Sequence, residues 1–170
     1  MKKRNEIIYD GNVAYIIIKS KKHGCFKAII DSKNIDKINK YTWWISKKEC
    51  GYFIVYTQVK RKTILLHRVI LGVTDKDYVV DHIDHNTLNN LEENLRICTG
   101  AENMQNRKMT NRKNKTSNTR GVYWREDHKR WVAQVVLNKK KVFTKEFKVL
   151  DDAILAVAEA RKMFLTHTIN

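Results

Sequence analysis

One stretch of the chain, Val79 to Arg107 (VVDHIDHNTLNNLEENLRICTGAENMQNR), limits the possible folds more than any other. Val79 to Asp84 alternates as a short strand and Asn94-Leu95-Arg96-Ile97-Cys98 reads as a second, while the Asn-rich connection between them suits turns. The expected product is a β-hairpin with a long loop. Thr99-Gly100-Ala101-Glu102 then fits a capping box, with Thr99 at the N-cap and Glu102 three residues on, so a helix is predicted from about Gly100. Asn103 falls in its first turn, near free amides and the positive end of the helix dipole, where an anionic phosphate is favoured. From there it can face a carboxylate projected by the hairpin, and Asp81 is the obvious one. His82, next to it, adds an imidazole that titrates near neutral pH.

Charge says what such a hairpin and helix would meet. The 170 residues carry a formal net charge of +16 and a pI of about 9.8, more than solubility requires, so a polyanionic partner is expected. No apolar run approaches the roughly 18 residues of a membrane span and no secretory leader begins the chain, which predicts a soluble protein with no membrane partner. Cys25, Cys50 and Cys98 are isolated and odd in number, which argues against a zinc ribbon or a disulfide framework and for a reducing cytoplasm. They are expected to be small buried hydrophobes.

The flanks differ in character. Asn12 to Lys19, Phe26 to Asp31, Tyr52 to Lys60 and Lys62 to Arg68 read as strands, with a short helix around Ile35 to Lys40. Trp43 and Trp44 face opposite ways if extended, so at least one belongs to a core. Between Met104 and Arg120 lie Arg107, Lys108, Arg112, Lys113, Lys115 and Arg120 with no acidic residue; laid on DNA, each cation could displace a counterion.

The first stretch resembles the HNH endonucleases, whose core is a ββα-metal unit. The residues that carry the resemblance are D-H-I-D-x-N, then N-x-x-x-N-L, then Glu102-Asn103 on a helix. The resemblance implies that His82 is the general base for water, that Asp81 and Asn103 hold one divalent metal, and that Asn94 ties down the loop. Some relatives carry His at the positions of Asn103 and Arg107; two oxygen donors instead imply a hard ion, Mg²⁺ first and Mn²⁺ second, with no structural zinc. His85 stands where many relatives have Gly and reads as a loop or DNA contact. Ile64 to Leu71 resembles the segment that precedes this core. There His67 either packs or supports the site, and Arg68 is expected on DNA.

The end of the chain carries a second resemblance. Arg120-Gly121-Val122-Tyr123-Trp124, Arg130-Trp131-Val132-Ala133-Gln134-Val135, Phe143, Phe147 and a helix from about Asp151 to Leu165 are similar to an Apetala2-type DNA-binding domain. That family implies a three-stranded antiparallel sheet in the major groove with the helix on its other face. Alternation supports it: Val122 and Trp124, with Trp131, Ala133 and Val135, would meet a helix that is N-capped by Asp151 and bears an apolar stripe from Ala153 to Phe164 and Leu165. Arg120, Tyr123, Arg125, Arg130 and Gln134 would then meet DNA. Lys145 and Val136 depart from the relatives' common Gly and Arg.

The expected whole is an α+β chain: a β-rich region at 1–66, the HNH core at 67–107, a basic linker at 108–117 and the Apetala2-type module at 118–170. Its expected activity is metal-dependent hydrolysis of double-stranded DNA by a homing-type or phage-encoded monomer or homodimer, within a cell that could be bacterial. A catalytically silent DNA-binding regulator and an RNA-directed protein are the alternatives, the latter distinguished by dependence on the 2′-hydroxyl.

Overall fold

Alternation along Val13–Ser20 (β2) points Ala14, Ile16 and Ile18 into a core, and Gly24–Asp31 (β3) adds Ala28 and Ile30 from the facing strand. These observations come from a computed structural model that describes residues 4–49, 51–105 and 116–165. Expectations for Cys50, Arg107, Lys108, Arg112, Lys113 and Lys115 lie outside the described residues. The chain divides into two compact units, Met1–Thr99 and Gly100–Asn170.

In the first unit, Glu6–Asp10 (β1) pairs antiparallel with β2, and β2 with β3. β1 lies at the edge of the sheet and is largely exposed, which is why its sequence lacks a clear alternation. A short helix, Ile35–Ile38 (α1), leads to Trp44–Lys47 (β4), Phe53–Val59 (β5) and Lys62–Leu65 (β6), a second antiparallel sheet. Lys60 and Arg61 both have positive φ, the geometry of a two-residue hairpin that follows the strand twist. Trp43 is 1% exposed and Trp44 46%, so one indole is core and the other surface. The Trp43 indole donates to the Ile38 carbonyl at 3.0 Å, which satisfies its buried N–H.

The strand expected to run through Arg68 stops at Leu65 and becomes a helix, Leu66–Ile70 (α2). Leu66 and Ile70, four apart, are both fully buried, and a continuous apolar run does not distinguish that spacing from a strand. The long hairpin then forms as expected from Tyr78–His82 (β7) and Leu95–Thr99 (β9), in register from Tyr78↔Thr99 to His82↔Leu95. Between them Asn89–Asn90 (β8) joins the first sheet, parallel to β3. One apolar cluster runs from Ala14 to Leu95 and includes Trp43, Leu66 and Val80, so residues 1–66 and the hairpin share a core. Cys98 is buried, but Cys25 is exposed, because β3 turns its parity outward with Lys27.

The second unit begins with Gly100–Gln105 (α3), followed by Val122–Arg125 (β10), Arg130–Leu137 (β11), Lys140–Phe147 (β12) and Leu150–Phe164 (α4). The sheet is antiparallel in the order β10-β11-β12. Val122, Ala133 and Val135 pack with Ala153, Val157 and Ala160 of α4, the small side chains allowing close approach. Gly121 has φ +88, and a Cβ there would lie 2.4 Å from the Gln134 carbonyl oxygen, so strand contact and backbone both demand glycine. Three expectations are corrected. The N-cap is Val149, with Asp151 inside the first turn where it still favours the dipole; Phe164 is exposed rather than core; and Val132, of the parity expected to meet DNA, is buried.

Candidate active site

β7 carries the two candidate residues Asp81 and His82. Val80 and His82 share its buried parity, while Asp81 takes the alternate one opposite Arg96. The Arg96 guanidinium donates to Asp81 Oδ2 from Nε at 3.0 Å and Nη2 at 2.7 Å, a pair largely withdrawn from solvent. Nothing in composition marks Arg96, but the hairpin register would have found it.

His82 is 6% exposed. Its Nε2 lies 3.2 Å from Asn90 Oδ1, and the His67 ring stands edge-on against it, centroids 5.0 Å apart. Burial pushes the His82 imidazole below the usual histidine range, against the opposing effects of the Asn90 bond and the Asp84 and Asp81 charges. His67 is pushed down to about 3 by burial, then by His82 and Arg68. Two neutral imidazoles therefore meet at neutral pH, with His67, on a helix rather than the expected apolar strand, packed against the proposed base.

The loop between β7 and β9 is held by a hub at Asp84 and Asn94. Asn94, also buried, donates to Asp84 Oδ1 at 2.9 Å and to the Asn89 carbonyl at 2.8 Å, and accepts from the Asp84 amide at 3.0 Å. Asp84 also accepts from the Asn86 amide at 2.7 Å and the Asn89 side chain at 2.8 Å. Burial acts to raise its carboxyl, but the bonds from Asn89, Asn86 and Asn94 prevail and hold it below the carboxylate range. His85 has φ +63, the left-handed geometry that glycine adopts without strain. The N-terminal sheets anchor the loop from outside: the Thr87 hydroxyl donates to the Phe53 carbonyl, the Glu92 amide to Asp31 at 2.8 Å, and Asn34 to Glu92 at 2.9 Å.

Several arginines expected on DNA are engaged within the protein. Arg68 donates to the carbonyls of Tyr78, at 2.8 Å, and Asp75, and so braces the entry to β7. Arg120 donates to Gln105 and Met104 at 3.0 and 3.1 Å, joined by Arg161 on Gln105 at 3.2 Å; both cations sit at the negative end of α3. Arg125 is bound by Asp127 and Glu146. Arg130 donates to the Lys129 carbonyl at 3.1 Å. Tyr123 and Gln134 do lie together on the outer sheet face, the phenol donating to Oε1 at 3.4 Å.

Asn103 lies on α3, in the second unit, and Asp81 in the first. Among the described residues no cluster of three or more His, Cys, Asp and Glu side chains is placed to hold a metal ion. The expected pair is one carboxylate and one amide oxygen. By residue type, a carboxylate and an amide oxygen are hard donors, of the kind that suit Mg²⁺ or Mn²⁺ rather than zinc. No helix among the described residues is long and apolar enough to cross a membrane.

Residues 65–105 match the family model for HNH endonuclease. The chain is 34% identical over 119 residues to an uncharacterised HNH endonuclease of Acanthamoeba polyphaga mimivirus, which covers 65% of this chain and 56% of that protein. It is 31% identical over 86 residues to Protein 3.8 of Escherichia phage T7, covering 51% of this chain and 69% of that one. This chain thus spans little more than half of the mimivirus relative. No solved structure matches it significantly.

Proposed function

We propose that this chain, which carries an HNH endonuclease domain over residues 65–105, is a metal-dependent DNA endonuclease in which His82 activates water. The observation that carries the reading is a buried, neutral imidazole fixed against Asn90, one position after a carboxylate, at the end of a hairpin whose loop is pinned by Asp84 and Asn94. A neutral His82 accepts a proton from water as the oxygen attacks phosphorus; the bond to the 3′ oxygen breaks, and that oxygen takes a proton from solvent water, leaving a 5′-phosphate and a 3′-hydroxyl. Asp81 and Asn103 would hold the divalent ion, Mg²⁺ or Mn²⁺, which supplies positive charge for the phosphate and the departing oxygen. Asn94 holds the loop and does not touch the reacting atoms.

The second unit is read as an Apetala2-type DNA-binding module, supported by its three strands, its packed helix and the outward Tyr123 and Gln134. The net charge of +16 suits double-stranded DNA. The viral and phage relatives favour a phage-encoded or homing-type enzyme. With one such domain in the chain, a monomer makes one cut per binding event, so nicking is the expected product.

The test is conversion of supercoiled plasmid to open-circular DNA with Mg²⁺ or with EDTA, beside His82→Ala. Metal-dependent nicking lost in the variant supports the assignment. Tight binding without cleavage across many target sequences identifies a silent regulator instead. Removing residues 118–170 should weaken binding and leave slow, less selective cutting.

A further inference from the structure

We infer that Arg161 is a positioning residue of the endonuclease: together with Arg120 it holds α3, the helix that carries Asn103, an inference that rests on the reading of Asn103 as a metal ligand. The family match runs to residue 105 and so includes α3, whereas the compact unit to which α3 belongs starts at Gly100 and contains β10, β11, β12 and α4. The helix that completes the family match is therefore, by packing, part of the C-terminal unit.

α3 cannot hold itself in place. It has six residues, too few for a helix that is stable alone, and none of its side chains is buried. Polar bonds at its carbonyl end set its place instead. Arg120 donates through Nη1 to the Gln105 carbonyl at 3.0 Å and through Nη2 to the Met104 carbonyl at 3.1 Å, and Arg161 donates through Nη2 to the same Gln105 oxygen at 3.2 Å. Burial and, after it, the Arg120 charge both weigh against the Arg161 cation. The negative end of the helix offsets them, because its carbonyls take charge-assisted bonds. Both arginines stand on packed ground. Arg161 follows Ala160, which is buried in the core shared by α4 and the sheet; Arg120 precedes Gly121, whose carbonyl accepts from the Gln134 amide at 2.7 Å and whose Cα leaves no room for a Cβ. A helix end fixed to such a frame keeps Asn103, two positions before Gln105, at a constant place within its unit.

The experiment compares the full-length parent with Arg161→Met, which keeps the length and removes the donors, and with Arg161→Lys, which restores a cation that donates to one carbonyl. In Arg161→Met the Met104 and Gln105 amides should exchange with solvent roughly tenfold faster by NMR, and kcat for plasmid nicking in Mg²⁺ should fall on the order of 10-fold, while KM, duplex affinity and its salt dependence stay at parental values. Arg161→Lys should return both exchange and kcat to within about threefold of the parent. Unchanged exchange in folded Arg161→Met overturns the clamp, and faster exchange with parental kcat overturns the positioning role. Weaker duplex binding with a salt slope reduced by about one also overturns it, and makes Arg161 a phosphate contact. Should Arg161→Met fail to fold, Arg161→Ala, a strong helix former at this half-buried position, takes its place in the same comparison. If the parent never cleaves DNA, the endonuclease reading fails and takes the catalytic role with it, while the exchange measurement separately decides whether Arg161 holds α3.

Discussion

The two units share an apolar kind of core but differ in the polar groups they bury. Every buried polar side chain among the described residues, Asn34, Thr57, His82, Asn90 and Asn94, belongs to Met1–Thr99; the core of Gly100–Asn170 is built of Ala, Val and Leu, with aromatic rings at its margin. The first unit holds its polar groups by hydrogen bonds inside the fold, where a misplaced donor is costly, and so fixes the buried His82 imidazole. The second keeps its interior apolar and displays Tyr123 and Gln134 on the outside of a sheet. Under the proposed function, chemistry would be specified from within and recognition from the surface.

Breaking the first interior at its centre has the largest expected effect. His82→Ala should lower the cleavage rate by at least about 10²- to 10⁴-fold with DNA affinity retained, measured by nicking and by titration of labelled duplex; intact cleavage removes the base assignment. Gly121→Ala breaks the second interior instead. With a clash against the Gln134 carbonyl and a left-handed φ, it should destabilise that unit by about 3 kcal/mol, read by denaturant unfolding, and an unchanged midpoint refutes the packing described.

Asn94→Ala removes a buried amide and its three bonds to Asp84 and Asn89 and should cost about 1–2 kcal/mol. It should also slow cleavage, and faster hydrogen exchange across residues 83–94 would sharpen the contrast with the apolar unit. Acid should act on the first interior as well. The folded His67 takes its proton near pH 3 and the unfolded chain near 6.5, so the stability from keeping it neutral is complete above about pH 6.5 and is lost progressively toward pH 3. At pH 5 the loss is about 2 kcal/mol, and His67→Phe should flatten that slope in denaturation measured across pH. The smallest effect is expected at Arg125: because Asp127 and Glu146 already hold its guanidinium, Arg125→Ala should leave DNA affinity nearly unchanged, whereas Gln134→Ala should weaken it by about 1–3 kcal/mol at a preferred site. Equal losses at both positions would erase the distinction drawn on this face.

The hairpin, the start of α3 at Gly100 and the sheet packed on α4 were legible because each rests on local signals: period-two alternation, an Asn-rich turn, a capping pattern and an apolar helical stripe. β1 was not, since an exposed edge strand has no buried face to imprint on its residues, and α2 was not, since Leu66 to Ile70 satisfies either period. Arg68, Arg120 and Arg125 read as free cations, and their carbonyl and carboxylate partners emerge only when the chain is folded.

By itself, then, the sequence determined the chemical inventory of this protein: a histidine beside a carboxylate, asparagines at turn spacing, a large positive charge and two regions of opposite polarity pattern. The tertiary structure alone decided which asparagine meets the imidazole, which arginine neutralises Asp81 and which cations stay at the surface. The physical reason is range. Strand parity, caps and turns act between residues a few positions apart, whereas the bonds from Asn90 to His82, from Arg96 to Asp81 and from Glu92 to Asp31 exist because strands distant in the chain share one core.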